Sequence, residues 1–357
     1  MLIALRAESR VDDLRQELEN LLAVYDVRLR VREVDKTDYQ NWVLGHGKPK
    51  HVVTLLSRKL AAKSIQAVSQ VLADHDLDIY HVRRLTGRVP IDLISEQTQA
   101  CVEFIARGSV ESAERLRTEL MTLGSRIDAD IAYQEDNIYR RNRRLVVFDM
   151  DSTLIREEVI DELAKRAGVG EQVSKITEAA MRGEIDFKES LRQRVSTLEG
   201  LPESVLSEIA PNLQLNEGAD RLLSTLNRMG FKTAILSGGF TYFGNYLKER
   251  LGVDYVHANE LEIENGLLTG RVVGEIVDGS RKASLLTEIA SDLGYSLDQT
   301  IAVGDGANDL PMLKIAGMGI AFHAKPLVQA SANYAVSNLG LDAVLYLMGM
   351  SDTEAVG

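Results

Sequence analysis

The chain has 357 residues, 45% of them apolar and 26% charged, the proportions of an ordinary soluble globular protein with room for two or three domains. Its 41 Lys and Arg against 53 Asp and Glu leave a net charge of −12, which argues against broad nucleic-acid binding. No apolar run approaches the ~18 residues of a membrane span, and the opening MLIALRAESR lacks the basic lead and long apolar core of a signal peptide. The one cysteine, Cys101 in CVEFIA, reads as a small buried hydrophobe in a reducing compartment, so a cytoplasmic protein is expected.

The first 140 residues differ in pattern from the rest. From His51 come a strand (HVVTLLS), a helix over about Leu60 to Asp74, two strands (DIYHVRRL and CVEFIA), a helix (SVESAERLRTELMTLG) and a last strand (DADIAY). This is the β-α-β-β-α-β order of the split βαβ fold. The stretch, taken as residues 47–140, resembles an ACT domain, a regulatory α+β ferredoxin-like fold that often binds amino acids. Ahead of it, LIALRA, a helix near Asp12 to Ala23 and VRLRVREV suggest a partial copy of the same unit over residues 1–46. Amino-acid-binding ACT domains usually carry a glycine in the turn after their first strand. Here that turn is SRKLAAK, so a role in self-association, with a homodimer as the expected assembly, stands beside an effector site. YRRNRR (Tyr139 to Arg144), with four arginines in six residues, reads as a solvated linker, a basic binding patch being the alternative.

Residues 141–357 are expected to form a doubly wound parallel α/β sheet. LVVF, KTAIL, TIAVG and MGIAF are near-continuous apolar runs, typical of parallel strands buried on both faces, and helical stretches separate them. Over about residues 156–211 that rhythm breaks into helices without a strand, as a helical cap inserted over an active site would do. LEIENGLLTGRVVG, with Asn265-Gly266 between β-prone residues, predicts a hairpin.

Three of these strands end in polar clusters. LVVF delivers Asp149 and Asp151, KTAIL delivers Ser237, Gly238 and Gly239, and TIAVG delivers DGAND from Asp305 to Asp309. Residues i and i+2 of an extended chain share a side, so Asp149 and Asp151 face the same way. Two carboxylates at the end of a hydrophobic strand are costly unless a cation, a proton or a reaction uses them. Alone, the stretch also fits a simple turn. Three strands presenting polar groups at the edge where open α/β sheets bind ligands are not explained by packing. Asp149, Asp151 and Asp305 offer hard oxygen ligands suited to Mg²⁺. The six histidines are scattered, without HExxH, and no CxxC occurs, so zinc is not expected. GDGAND opens like a dinucleotide fingerprint but ends in Asp309, which would repel a pyrophosphate, and no GxxxxGK[ST] is present.

Together DMDST (Asp149 to Thr153), Ser237, Lys282 in SRKAS and GDGAND (Gly304 to Asp309) resemble the four motifs of the haloacid dehalogenase-like hydrolases. The resemblance implies that Asp149 attacks phosphorus and becomes an aspartyl-phosphate. It makes Asp151 the proton donor to the leaving alcohol and then the base that activates water. That second acid is present in the superfamily's phosphatases and mutases and missing from its ion-pumping ATPases. Mg²⁺, with Asp305 as a further ligand, would neutralise carboxylate and phosphoryl charge. Lys282, Ser237 and Gly238, with nearby backbone N–H groups, would hold the phosphoryl oxygens. Asn308 would contact the phosphate region, and Asp309 would orient the metal's surroundings and Lys282. Taken singly, Lys282 also fits a surface lysine, Ser237-Gly238-Gly239 a turn, and Asn308 and Asp309 helix caps.

DSTLIREEVIDELAKRAGV and EAAMRGEIDFKESLRQRV, within a match over about Arg144 to Leu345, are similar to the phosphoserine phosphatases. This narrower resemblance implies that Glu158 receives the substrate ammonium. It pairs Arg194 on a cap helix with the substrate carboxylate, which suits a planar guanidinium. Met181 and Phe187 match apolar residues that close the site against water. The implied reaction is Mg²⁺-dependent hydrolysis of O-phospho-L-serine to L-serine and phosphate, the last step of serine biosynthesis. Apart from the resemblance, Glu158 fits a helix N-terminal acid and Arg194 a surface partner of Glu189 or Glu199. A phosphotransferase, a phosphatase for another small phosphomonoester and a non-catalytic amino-acid sensor are the alternatives.

Overall fold

The computed structural model describes residues 11–22, 34–88, 90 and 98–355. The chain forms two units, Met1–Lys48 and Pro49–Gly357. The first contains α1 (Val11–Leu22), which is the expected helix, and α2 (Lys36–His46), which the sequence pattern does not predict. The strands expected at 2–7 and 27–34 lie outside the described residues, apart from Val34.

The second unit opens with β1 (Lys50–Ser57), α3 (Ala62–Asp74), β2 (Asp78–Arg84), β3 (Ala100–Arg107), α4 (Ala113–Ile127) and β4 (Asp130–Glu135), in the expected β-α-β-β-α-β order. The strands form an antiparallel sheet ordered β2-β3-β1-β4. Successive side chains of a strand point to opposite faces. On one face Val53, Leu55 and Phe104 pack against Val68 and Leu72 of α3 and Leu116 and Leu120 of α4. On the other, Leu56, Cys101 and Ala132 join the core of the α/β part, with Leu341, Val344 and Leu347. Both faces of β1 are therefore covered, which is why seven of its eight residues are buried although the sheet is antiparallel.

Polar contacts seal the same face. Arg58, in the SRKLAAK turn, grips Glu217 with two hydrogen bonds of 2.7 Å. The Asp130 carboxylate accepts the backbone N–H groups of Ser337 and Asn338 at 2.8 and 2.9 Å. Gln134 Nε2 donates to the Leu347 carbonyl at 2.9 Å. The YRRNRR segment departs from the solvated linker expected of it. Arg141, Asn142 and Arg144 are exposed, but Arg140 and Arg143 are buried. Arg140 pairs with Glu103 of β3, a carboxylate with no solvent exposure.

The α/β part runs through β5 (Leu145–Phe148), α5 (Val159–Ala167), α6 (Gly170–Met181), α7 (Phe187–Ser196), α8 (Ser204–Ile209), α9 (Ala219–Arg228), β6 (Lys232–Phe240) and α10 (Thr241–Leu251). Then follow β7 (Tyr255–Glu264), β8 (Leu267–Val273), α11 (Gly279–Asp292), β9 (Thr300–Gly304), α12 (Leu310–Ile315), β10 (Met318–Phe322) and β11 (Tyr334–Val336). The sheet order is β11-β10-β9-β5-β6-β7-β8, parallel except for β8. The four expected strands are its centre, and β7 and β8 form the expected hairpin, with Asn265 (φ 54) and Gly266 (φ 76) both at positive φ. β5 lies between β9 and β6, so the strand order reverses at β5. A crevice opens there at the carboxyl ends.

Helices α5 to α8 fill the insertion expected at 156–211. The chain leaves and returns through a narrow neck, where Arg156 N donates to the Gln214 carbonyl and Asn216 N to the Leu154 carbonyl, each at 2.9 Å. A second tether joins the cap to β8, where Gly200 N donates to the Leu268 carbonyl at 2.8 Å and Leu268 N to that of Leu201 at 2.9 Å. Among the described residues no helix is long and apolar enough to cross a membrane.

Removing one partner of a buried ion pair leaves the other charge uncompensated. Glu103→Ala is therefore expected to lower the unfolding free energy by about 3–5 kcal/mol, read from urea denaturation followed by circular dichroism. A loss below about 1 kcal/mol, the range of exposed pairs, would mean that the Arg140–Glu103 pair does not hold the sheet in place.

Candidate active site

The apolar strand β5 ends in a strained turn. Ser152 takes a positive φ of 56° between Asp151 and Thr153, a conformation that persists only when neighbours hold it. The Ile155 N–H closes on the Met150 carbonyl at 3.0 Å. The Asn216 side-chain amide donates to the carbonyls of Ser152, Thr153 and Ile155 at 3.2, 2.8 and 3.2 Å. Thus the neck of the cap, through Asn216, fixes the shape of the turn that carries the two acids.

Each acid has its own anchors. Asp149 accepts from its neighbour's N–H, Met150 N, at 2.7 Å and lies 2.8 Å from the Lys282 ammonium. Asp151 accepts from Val159 N, the first residue of α5, at 2.8 Å, and from the Ser237 hydroxyl at 3.3 Å. A Cβ on Gly239 would come within 2.3 Å of the Asp151 carboxylate, so only glycine lets β6 approach this closely. Lys282, on α11, has no solvent exposure and also donates to Asp309 at 2.7 Å. Asp305 accepts from the Thr153 hydroxyl at 3.0 Å. Asn308 is half-buried beside Gly306, and its side chain makes no hydrogen bond to the described residues.

Carboxylate oxygens of Asp149, Asp305 and Asp309 lie within 4.8 Å of one another. One ammonium, that of Lys282, faces these three carboxylates, leaving two negative charges over. That excess, in an all-oxygen set, fits a divalent hard cation. Asp151, assigned to the ligand set from sequence, keeps its carboxylate outside this cluster, on Val159 and Ser237. Burial, followed by the Asp309 charge, pushes the Asp149 pKa well above the usual range, against the pull of Lys282. Burial and Glu158 raise Asp151 to about 7. Burial and Asp309 raise Asp305 to about 7. Burial alone would lower the Lys282 pKa, but Asp149 and Asp309 more than offset it and raise it.

The cap contributes the remaining groups. Ser152 donates its hydroxyl to Glu158 at 2.8 Å, and burial raises the Glu158 pKa despite that bond. Arg194 makes only a long contact of 3.4 Å to the Ser190 carbonyl and no ion pair among the described residues. Glu189 lies 3.9 Å from Arg192, and among the described residues no ion pair joins Arg194 to Glu189 or Glu199, the two surface partners expected for it. Burial lowers the Arg194 pKa, while Glu158, Asp161 and Asp151 raise it. Phe187 sits over the β6 loop, its ring 2.8 Å from where a Cβ on Gly238 would be, whereas Met181 is 64% exposed at the end of α6. Sequence reasoning missed Asn216 and Asn259. Asn259 donates to the Gly238 carbonyl and accepts from Val277 N, both at 2.8 Å, tying the β6 loop to the segment before Lys282.

A doubly wound sheet with a helical cap inserted directly after its central strand is the architecture of the haloacid dehalogenase-like hydrolases, and residues 143–317 match that family. The phosphoserine phosphatase of Streptomyces coelicolor is 44% identical over 315 residues, 87% of this chain and 74% of the relative. The crystal structure of a probable phosphoserine phosphatase from Vibrio cholerae aligns with a TM-score of 0.67 at 37% identity, covering 85% of this chain and 88% of that one. A phospho-aspartyl intermediate analogue of phosphoserine phosphatase aligns with a TM-score of 0.54 at 43% identity, over 57% of this chain and 98% of that one. The chain belongs to the phosphoserine phosphatase family of the haloacid dehalogenase-like hydrolases.

Asn216→Ala removes the side-chain amide whose three hydrogen bonds hold the turn. It is expected to destabilise the fold by about 1–3 kcal/mol and to lower kcat more than it raises KM. A kcat equal to that of the parent chain would show that the turn keeps its shape unaided. The carboxylates predict a pH effect. Asp151 and Asp305 hold protons in the folded chain up to about pH 7, but in the unfolded chain only below about pH 4. Between those values the folded state binds the extra protons, so metal-free stability falls as pH rises through that window. A divalent cation needs the deprotonated forms. MgCl₂ should therefore raise the melting temperature more at pH 8 than at pH 5, and an equal shift at both would contradict the acid cluster as the cation site.

Proposed function

We propose that this chain hydrolyses O-phospho-L-serine to L-serine and phosphate, with Asp149 as nucleophile. An Asp149 oxygen attacks phosphorus, the bond from phosphorus to the serine oxygen breaks, and an aspartyl-phosphate forms. Asp151 gives its proton to the departing serine oxygen. It then takes one from the water that attacks the aspartyl-phosphate, releasing phosphate and restoring Asp149. A pKa of about 7 for Asp151 suits both halves of that cycle. Lys282, Ser237, Gly238 and Asn308 hold the phosphoryl oxygens. Asp149 and Asp305 would hold Mg²⁺, with Asp309 beside them. When bound, the ion neutralises the charge that separates carboxylate from phosphoryl group.

The Arg194 guanidinium, which forms no ion pair among the described residues and feels the charge of Glu158, is the observation that carries the choice of substrate. A largely buried cation without an ion-pair partner among the described residues, within reach of the field of a carboxylate, matches the carboxylate and ammonium of an amino acid. Phe187 excludes water over the β6 loop, and Met181 would join it with the cap closed on substrate. Residues 47–140 act as an ACT-like module and residues 1–46 as its partial copy. A homodimer through that module is supported by the edge strand β2, where Ile79, Tyr80 and Val82 are exposed. The buried free thiol of Cys101 supports a reducing, cytoplasmic setting.

The test is phosphate release from phosphoserine and from phosphoethanolamine, which lacks the carboxylate. Asp149→Asn should release none from either while keeping the fold. Arg194→Ala should lose about ten- to a hundredfold in kcat/KM on phosphoserine, from a charge-assisted bond of about 1.5–3 kcal/mol, and little on phosphoethanolamine. Turnover by Asp149→Asn would overturn the covalent route. Equal losses on both substrates would make Arg194 structural and remove the case for phosphoserine.

A further inference from the structure

The arginine-rich segment before β5 lines a cavity of about 220 Å³ that the proposed reaction does not use. Five guanidinium groups border it: Arg83 from β2 of the α+β module, and Arg140, Arg141, Arg143 and Arg144 from the segment that leads into the α/β sheet. The carboxylates nearby are already engaged. Glu103 is held by Arg83 at 3.1 Å and by Arg140, and Asp136 lies 3.9 Å from Arg140. Glu354, on the cavity wall, accepts from the Ser351 N–H and hydroxyl, each at 2.7 Å. With Lys50, which pairs with Asp136 at 2.8 Å, and Asp298, whose charge acts on Arg143, six cations face four carboxylates and leave two positive charges over, in a chain whose net charge is −12.

Three of the arginines have no ion-pair partner among the described residues. Arg143 is 5% exposed and donates only to the Asp298 carbonyl, at 3.3 Å. Arg144 donates to the Arg143 carbonyl at 3.1 Å, and Arg141 makes no hydrogen bond or ion pair to the described residues. The buried Nε atoms of Arg83, Arg140 and Arg143 find no acceptor among the described residues. Buried charges are ordinarily paired and buried polar atoms ordinarily bonded, so this concentration of unanswered donors needs an explanation. The backbone is shaped for it. Gly349 takes φ 82°, and a Cβ there would lie 2.7 Å from the Arg140 guanidinium.

We propose that this cavity is an anion-binding site for a small organic phosphate. Guanidinium forks match phosphate oxygens in pairs. A phosphomonoester carries about −1.5 to −2 charges at neutral pH, which answers the two left over. Phe231, Met348 and Met350 on the remaining wall give an apolar surface for the organic part. Because the arginines come from both the module and the approach to the α/β sheet, the bound anion ties the two together. The site is separate from the catalytic crevice, and the proposal does not depend on which substrate the crevice takes.

The probes are phenyl phosphate, inorganic phosphate and citrate, titrated calorimetrically into the full chain. Metal is first removed over a chelating resin, since a soluble chelator is itself a polyanion. The double variant Arg141→Glu with Arg144→Glu changes only exposed side chains, and Arg141→Gln with Arg144→Gln serves if the charge reversal does not fold. Phenyl phosphate should bind the parent chain at a site whose affinity falls at least tenfold in the variant. The rise in melting temperature it causes should vanish there too, and inorganic phosphate should bind the same site more weakly. Equal phenyl phosphate binding by parent and variant would place all binding in the catalytic crevice and overturn the proposal. Citrate binding lost in the variant, without phosphate binding, would overturn the choice of phosphate.

Discussion

The Lys282 ammonium lies beyond the reach of solvent, 2.8 Å from Asp149 and 2.7 Å from Asp309, with Asp305 in the same acidic cluster. Gathering three carboxylates below the surface is unfavourable unless positive charge is supplied, and a single lysine supplies a third of it. The carboxylates cannot be spread apart, because two adjacent strand ends fix them. Asp149 closes β5, Asp305 follows β9, and Asp309 caps the turn after it with a 2.9 Å bond from the Gly306 N–H. The remaining charge is left for a cation and a phosphoryl group. Poor neutralisation of the resting site is thus what makes it receptive.

A nucleophile held this way must not move, and polar contacts concentrate around it. Asn216 fastens the turn after Asp149, and its neighbour Glu217 is gripped by Arg58 of the α+β module. Two adjacent residues therefore fix the position of the catalytic turn and that of the module's first loop. The SRKLAAK turn, which in an amino-acid-binding ACT domain would face a ligand, here faces the α/β part. Its conformation is set by Glu217 and by the Asn338 carbonyl, to which Arg58 Nε donates at 2.7 Å. The module and the α/β part share one hydrophobic core.

Much of this is legible in the sequence, for a physical reason. Parallel strands buried on both faces appear as unbroken apolar runs, and their carboxyl ends converge on one crevice. Asp149, Ser237 and Asp305 can thus be placed together from the strand pattern alone, and Asn265-Gly266 marks the hairpin by its tolerance of positive φ. Asn216 is not legible. Its partners are three main-chain carbonyls more than sixty residues earlier, and carbonyls leave no mark on side-chain identity. The fate of the arginine run is hidden for a similar reason. Whether an arginine in YRRNRR is solvated or buried depends on Glu103, 37 residues before Arg140, and on the missing Cβ of Gly349.

Arg194 lies between these cases, because part of its freedom can be read from spacing. On a helix, side chains three or four residues apart share a face, and those five apart do not. Glu189 stands five residues before Arg194 on α7 and so is not placed to take it, and Glu199 lies beyond the end of that helix at Ser196. Arg192, three residues from Glu189, is so placed and does. Helix spacing turns an arginine in a charge-rich segment from a surface partner into an uncommitted cation. Burial then directs it, since a guanidinium that has lost part of its water and gained no carboxylate favours a ligand that brings one. The same reasoning separates Arg194 from Arg182, whose guanidinium is committed to Glu184 at 2.6 Å on the exposed side of the cap. Of the cap arginines at 182, 192 and 194, the one without a carboxylate partner among the described residues is the one that feels the charges of Glu158 and Asp151 in the crevice.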